Sequence, residues 1–210
     1  HDLLLQVRHE QRQRFMAAQV HHQQQIYYQP QVDMRSGQVV GVEALIRWQH
    51  PERGLLSPGQ FLSTIDATPL EVDLGEWVLE HALQQLTQWQ NDGIEMPINV
   101  NISPTHLLVS NFSQRLAELL ARYPTVSPSL LKLEVLESAA MHDVKAALKN
   151  MASCQPLAVS IDNDYFGTGF SSLTHLRQLP VSLIKIDQSF VRDMLSDQDD
   201  MAIVESVIYM

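Results

Sequence analysis

The sequence predicts an α/β fold in which repeated strand–helix units build a parallel sheet, introduced by a β-hairpin. Three observations predict it. After residue 95, short apolar runs alternate with segments of helical period four times. Residues 26–48 read as two strands around a turn. The 210 residues, 45% of them apolar, can bury the core of one good-sized domain or of two small ones.

The elements follow in order. Residues 1–24 hold no Pro or Gly and are rich in Gln, Arg and His. Their apolar positions, Leu4, Leu5, Phe15, Met16 and Val20, are too sparse for a core helix. Two readings stand for residues 1–25: a mostly exposed helical linker from an upstream domain, or a frayed tail. IYYQPQVDM and QVVGVEALIRW flank a turn at Arg35-Ser36-Gly37, giving the hairpin. A Pro-Glu-Arg-Gly loop follows, then a helix with Ser57 as N-cap and Pro58 at its first position. Leu74, Val78, Leu79, Ala82, Leu83, Leu86 and Trp89 share one helical face, in a helix stopped by Gly93. Then come strand MPINVNIS, helix SNFSQRLAELLARY, strand LLKLEVLE, helix HDVKAALKNMA, strand PLAVSID, helix FSSLTHLRQL, strand SLIKID and helix DQDDMAIVESVIYM. Repeated βα units imply right-handed crossovers with helices outside the sheet.

Composition narrows the function. A net charge of −10 with only 18% charged residues makes a poor DNA or RNA binder, because phosphate neutralisation needs clustered Lys and Arg. An anionic substrate would need a few placed cations or bound metal. Cys154 is the single cysteine, so no internal disulfide forms; it reads as a buried, inert thiol in a reducing compartment. No apolar run reaches the roughly 20 residues of a membrane span, and no secretory signal opens the chain. The expectation is a cytoplasmic domain. The histidines are scattered without an H-x-x-x-H pair, which speaks against zinc.

The strands share a pattern: each is apolar until near its C-terminal end, then offers a group that binds a cation or activates water. VVGVEALIR carries Glu43 and Arg47, INVNIS carries Asn101, and KLEVLE carries Glu134 and Glu137. AVSIDND carries Asp162 and Asp164, and SLIKID carries Lys185 and Asp187. Singly, each is an ordinary solvated strand end. In a parallel β/α barrel all of them would meet at one rim, where active sites are built. Carboxylates converging there need a counter-charge. An all-oxygen set favours Mg²⁺, Mn²⁺ or Ca²⁺ over zinc, with Lys185 placed to hold an anion or a water.

These residues carry a resemblance to a known family. Glu43-Ala44-Leu45 followed by Ile46-Arg47-Trp48 resembles the signature of the EAL domain, the bacterial cyclic di-GMP phosphodiesterase. In order along the chain stand YYQP (27–30), RWQHPERGLLSP (47–58), VNIS (100–103), LEVLES (133–138), FGTGFSSL (166–173) and LPVSLIKIDQSFV (179–191). The resemblance covers 26–210 and implies a modified TIM (β/α) barrel with an antiparallel first strand. It implies hydrolysis of cyclic di-GMP to linear pGpG with one or two Mg²⁺ or Mn²⁺ ions. Glu43, Asn101, Glu134 and Asp164 match the metal ligands. Lys185 matches the lysine that orients the attacking water, and Gln29, Leu45 and Arg47 match positions lining the substrate, with Arg47 facing phosphate. A homodimer contact through the helix from Phe170, and an upstream sensory or GGDEF domain in a parent protein that is itself membrane-anchored, are further implications.

Two departures stand out. Where the family has Asp-Asp-Phe-Gly, this chain has Asp162-Asn163-Asp164-Tyr165-Phe166-Gly167. Counting back from the glycine turn makes Asp164 the first aspartate and puts Tyr165, a poor metal ligand, at the second. A local irregularity would instead bring both Asp162 and Asp164 into the site. The sequence also stops at Met210, before the family's E-G-V-E motif and closing strands, so the C-terminal strands of the barrel are expected to be absent. Ser182 and Thr68-Pro69 are smaller changes. The alternative function is a degenerate domain that binds cyclic di-GMP, or serves as an interaction scaffold, without cutting.

Overall fold

A computed structural model describes residues 12, 13, 15, 17, 18, 22–136, 143–166 and 184–209, with the backbone alone at 136, 144, 162–166 and 184. Glu137, the glycine turn at 167–169, the helix predicted from Phe170 with its dimer contact, and Ser182 lie outside the described residues.

Strands β1 (Gln24–Val32) and β2 (Val39–His50) pair antiparallel with Gln29 opposite Glu43. Their turn closes because the Asp33 carboxylate accepts from the N–H groups of Arg35 and Ser36, both at 2.8 Å, and Gly37 takes φ +70°. The predicted Pro-Glu-Arg-Gly loop is itself a tight turn. His50 Nδ1 accepts from the N–H of Glu52 and Arg53 at 3.1 and 3.2 Å, returning the chain as a short antiparallel strand, β3 (Gly54–Leu56), on β2.

The helix predicted from Ser57 is instead two 3-10 turns, Pro58–Gln60 and Leu62–Thr64. Gln60 Oε1 accepts the Ser57 N–H at 2.8 Å, so the start is capped, but Phe61 leaves helical geometry (φ −138°) as it enters the core. Helix α1 (Pro69–Asn91) buries Leu74, Val78, Leu79, Ala82, Leu83 and Leu86, the predicted stripe, and Trp89 packs at its edge.

Beyond it the chain alternates: β4 (Ile98–Ile102), α2 (Pro104–Leu107), α3 (Phe112–Ala121), β5 (Leu131–Leu136), α4 (Val144–Cys154), β6 (Ser160–Phe166), β7 (Ile184–Ile186), α5 (Gln188–Asp193) and α6 (Gln198–Ile208). The sheet order is β1-β2-β4-β5-β6-β7, with β2, β4, β5, β6 and β7 parallel. This is the wall of a β/α barrel with its first strand reversed. Two short helices, α2 and α5, are too brief for periodicity to predict; side-chain caps start them, Ser103 Oγ accepting from His106 N–H and Asp187 Oδ1 from Ser189 N–H. Strand β6 runs on through Phe166 rather than ending at Asp162. Its ladder with β7 shifts between Asn163 and Phe166, where three steps on β6 match two on β7.

The reading of residues 1–24 as mostly exposed needs correction at Phe15 and Ala18, which are fully buried. Phe15 meets Trp48 edge-on and stacks on Phe61, with ring centroids 5.6 and 5.7 Å away. A sparse apolar pattern suffices when one aromatic fills a preformed notch. Among the described residues no helix is long and apolar enough to cross a membrane.

His106 is buried on α2 against Gly75 of α1, where a side-chain methyl would overlap the imidazole. Burial, and secondarily the Arg115 charge, depress its pKa to about 4. The neutral ring is therefore the folded form, and the unfolded chain takes the proton first. This contribution is complete above the ordinary histidine value near 6.5 and fades as pH falls towards 4, a loss of roughly 3 kcal/mol. Urea titrations at pH 7 and pH 4 should show His106→Gln losing that much less than the parent. Equal losses would contradict the assignment.

Candidate active site

The sheet's face alternation assembles the site. Along β2, Val42, Ala44, Ile46 and Trp48 are buried against the helices, while Glu43, Leu45 and Arg47 stand half-buried on the other face. Register then places Asn99 of β4 opposite Glu43, Asn101 opposite Glu134 of β5, and Glu134 opposite Asp162 of β6. Asp164 lies one pair further on, opposite Leu136.

Four of the predicted residues come together directly. Asn101 Nδ2 donates to Glu43 Oε1 at 2.8 Å, and Lys185 Nζ donates to Glu43 Oε2 at 3.0 Å. The same ammonium donates to Glu134 Oε2, so it bridges the two carboxylates. Glu134 is completely buried, and the side chains of Lys185 and Glu43 are 19% and 18% exposed. Glu134 thus sits inside the fold and cannot rely on water for screening, while Glu43 keeps part of its side chain open to solvent. With both ionised, one lysine leaves a net negative charge on the trio, which favours a further cation.

The donor chemistry fits a hard divalent ion. Two carboxylates and an amide offer only oxygen, and Asn101, by turning its Nδ2 to Glu43, leaves Oδ1 uncommitted. Among the described residues no group of three or more His, Cys, Asp or Glu side chains gathers. The third predicted carboxylate is Asp164, whose backbone alone is described.

The predicted substrate positions extend along the same face. Gln29 is paired with Glu43, and Leu45 and Arg47 follow on β2. The β2–β4 ladder covers only Val42–Ala44, so the rest of β2 rises beyond the parallel sheet, supported by β1 and β3. Arg47 donates to the Ile46 carbonyl at 2.9 Å and lies 5.6 Å from the Tyr27 ring centre. Four residues of strand set it roughly 13 Å from Glu43 along the chain.

A model of the EAL domain family matches residues 11–210. The chain belongs to the EAL domain family. Among its relatives, the bifunctional diguanylate cyclase/cyclic di-GMP phosphodiesterase MucR of Pseudomonas aeruginosa is 41% identical over 184 residues, covering 87% of this chain and 27% of MucR. Cyclic di-GMP phosphodiesterase PA2567 of the same organism is 37% identical over 183 residues, covering 87% of this chain and 31% of that protein. The chain therefore spans about a quarter to a third of the length of these relatives. Among solved structures, the PaMucR phosphodiesterase in complex with c-di-GMP matches with a TM-score of 0.89 at 39% identity, over 95% of this chain and 81% of that one. The EAL enzyme Bd1971 bound to cAMP and cyclic-di-GMP also gives a TM-score of 0.89, at 32% identity, over all of this chain and 57% of that one.

One residue of this EAL domain was not among those predicted. Asn99, buried to 1% exposure, donates through Nδ2 to Glu134 Oε1 at 2.5 Å. Its sequence signal is the alternation Asn99-Val100-Asn101, which puts two amides on one strand face.

Proposed function

We propose that this EAL domain hydrolyses cyclic di-GMP to linear pGpG with the help of Mg²⁺ or Mn²⁺. The observation that carries the reading is the convergence of Glu43, Asn101, Glu134 and Lys185, from four separate strands, into one hydrogen-bonded group. Glu43, Glu134 and Asn101, with Asp164 and Asp162 at the adjoining register positions, would hold the ions. Bound there, a divalent ion lowers the pKa of a water and neutralises phosphate charge. Lys185, already the bridge between the carboxylates, orients that water by donating to it. Gln29 and Leu45 line the ligand near Glu43, and Arg47, farther along β2, meets a second phosphate. A site drawn out over roughly 13 Å of strand suits a dinucleotide better than a mononucleotide. The names of MucR and PA2567 support the substrate.

A cytoplasmic location, a homodimer and an upstream sensory or GGDEF domain belong to the same proposal. The second reading, a receptor or scaffold that does not cut, draws on the irregular β6–β7 ladder at Asp164-Tyr165, beside the expected metal site. One assay separates them. Incubated with cyclic di-GMP and Mn²⁺, the natural protein should release pGpG, resolved by chromatography, and EDTA should stop it. Tight binding of cyclic di-GMP with no product in either condition would overturn hydrolysis in favour of the receptor.

A further inference from the structure

We infer that Asn99 is a positioning residue: its buried carboxamide fixes the orientation of the Glu134 carboxylate, so that strand β4 sets Glu134 and Glu43 with two amides, Asn99 and Asn101. This rests on the reading of Glu134 as an ion-holding group. The geometry is reciprocal. Glu43 is held at Oε1 by Asn101 and at Oε2 by Lys185, while Glu134 is held at Oε1 by Asn99 and at Oε2 by Lys185. Each acid thus has one partner fixed in the sheet and shares one flexible partner. An ammonium on a long stem can be drawn aside by a phosphate or a water; an amide buried in a central strand cannot follow. Asn99 is what holds Glu134 in place at that moment.

The orientation of Asn99 is forced. An ionised carboxylate only accepts hydrogen bonds, so Nδ2 must face Glu134 and Oδ1 must face away. There Oδ1 finds no donor, although it is shielded from water. A buried carbonyl left unpaired is destabilising, and a leucine would fill similar volume without that defect. Packing alone therefore does not account for an asparagine here; the bond to Glu134 does. Gly41, on β2, faces this oxygen with no side chain of its own to satisfy it, and a Cβ added there would stand 3.9 Å from Asn99 Oδ1 and 3.1 Å from Gln31 Oε1.

Three variants test this in the natural protein: Asn99→Leu, Asn99→Ser and Asn99→Asp, each checked for an unchanged far-ultraviolet dichroism spectrum. Asn99→Leu should weaken Mn²⁺ binding, measured by calorimetry without nucleotide, by about 10- to 100-fold. It should lower kcat while KM for cyclic di-GMP stays the same. Asn99→Ser, which keeps a short donor, should recover part of both losses, and Asn99→Asp, which sets a like charge against Glu134, should be worst. A purely structural residue would rank these variants by volume instead. Urea unfolding supplies an arm independent of any activity. Asn99→Leu should destabilise the parent but stabilise the Glu134→Leu variant, where no carboxylate needs the amide. The same shift in both backgrounds would overturn the inference, as would parental Mn²⁺ affinity and kcat in Asn99→Leu. Absence of pGpG from the parent, with the sign reversal intact, would instead sink the hydrolytic reading and leave the positioning role standing.

Discussion

Lys185→Met is expected to lower the unfolding free energy, measured by urea titration in EDTA at neutral pH, by about 3 kcal/mol. Methionine keeps the stem and its packing but removes the charge that bridges Glu43 Oε2 and Glu134 Oε2. Glu134 is fully buried, so its charge would be left with the Asn99 amide as its only described hydrogen-bond donor. Two carboxylates facing one another without a cation are the situation in which removing one partner of a buried ion pair is most damaging. A divalent ion should then substitute. At a Mn²⁺ concentration about 100 times its dissociation constant, mass action returns roughly 2.7 kcal/mol. Magnesium should do the same at its own higher working concentration. A variant as stable as the parent in EDTA would show that the ammonium does not hold the carboxylates, and the chemistry assigned to it would go with it.

The second large effect is on turnover. Glu43→Gln preserves shape, and Asn101 still finds an acceptor in the new amide, so the fold should be intact. One negative oxygen donor is lost from the ion site and the partner of Lys185 becomes neutral. Release of pGpG should fall on the order of 10²- to 10³-fold, the range seen when a single group stabilising developing charge is removed. Binding of cyclic di-GMP in EDTA should stay within about twofold, well under the 1.4 kcal/mol of a tenfold change, because Gln29, Leu45 and Arg47 are untouched. A receptor would release no pGpG in either form, whereas measurable and equal turnover by parent and variant excludes the assigned role of Glu43.

Much of this was legible in the letters, and the reasons are physical. Helix α1 could be read because its packing surface repeats every three to four residues over 23 positions. The parallel strands could be read because their apolar runs are bounded by helical segments, and Glu43, Asn101, Glu134 and Lys185 because a charge or an amide in an otherwise apolar strand demands an explanation. What escaped was set by single side chains. His50 turns β2 back into β3, Phe61 ends a helix by diving inwards, and Phe15 fills a notch between two other rings. No window average detects such events. Asn99 escaped for another reason: a polar residue within a strand passes for a solvent-facing one until its neighbour across the sheet is known. Asp164 and Asp162, the residues on which the departure from the family pattern turns, pair in the β5–β6 ladder with Leu136 and Glu134.

The reversed direction of β1 has a mechanical consequence. In an ordinary β/α barrel the first strand starts at the floor, far from the chemistry. Here Gln24 starts level with Trp48, at the high end of β2, and the strand descends past Tyr27 to reach Gln29 beside Glu43. The stretch leading into it is wedged by Phe15 between Trp48 and Phe61. A pull on Gln24 would therefore travel along six residues of one strand to Gln29, the glutamine proposed to line the ligand.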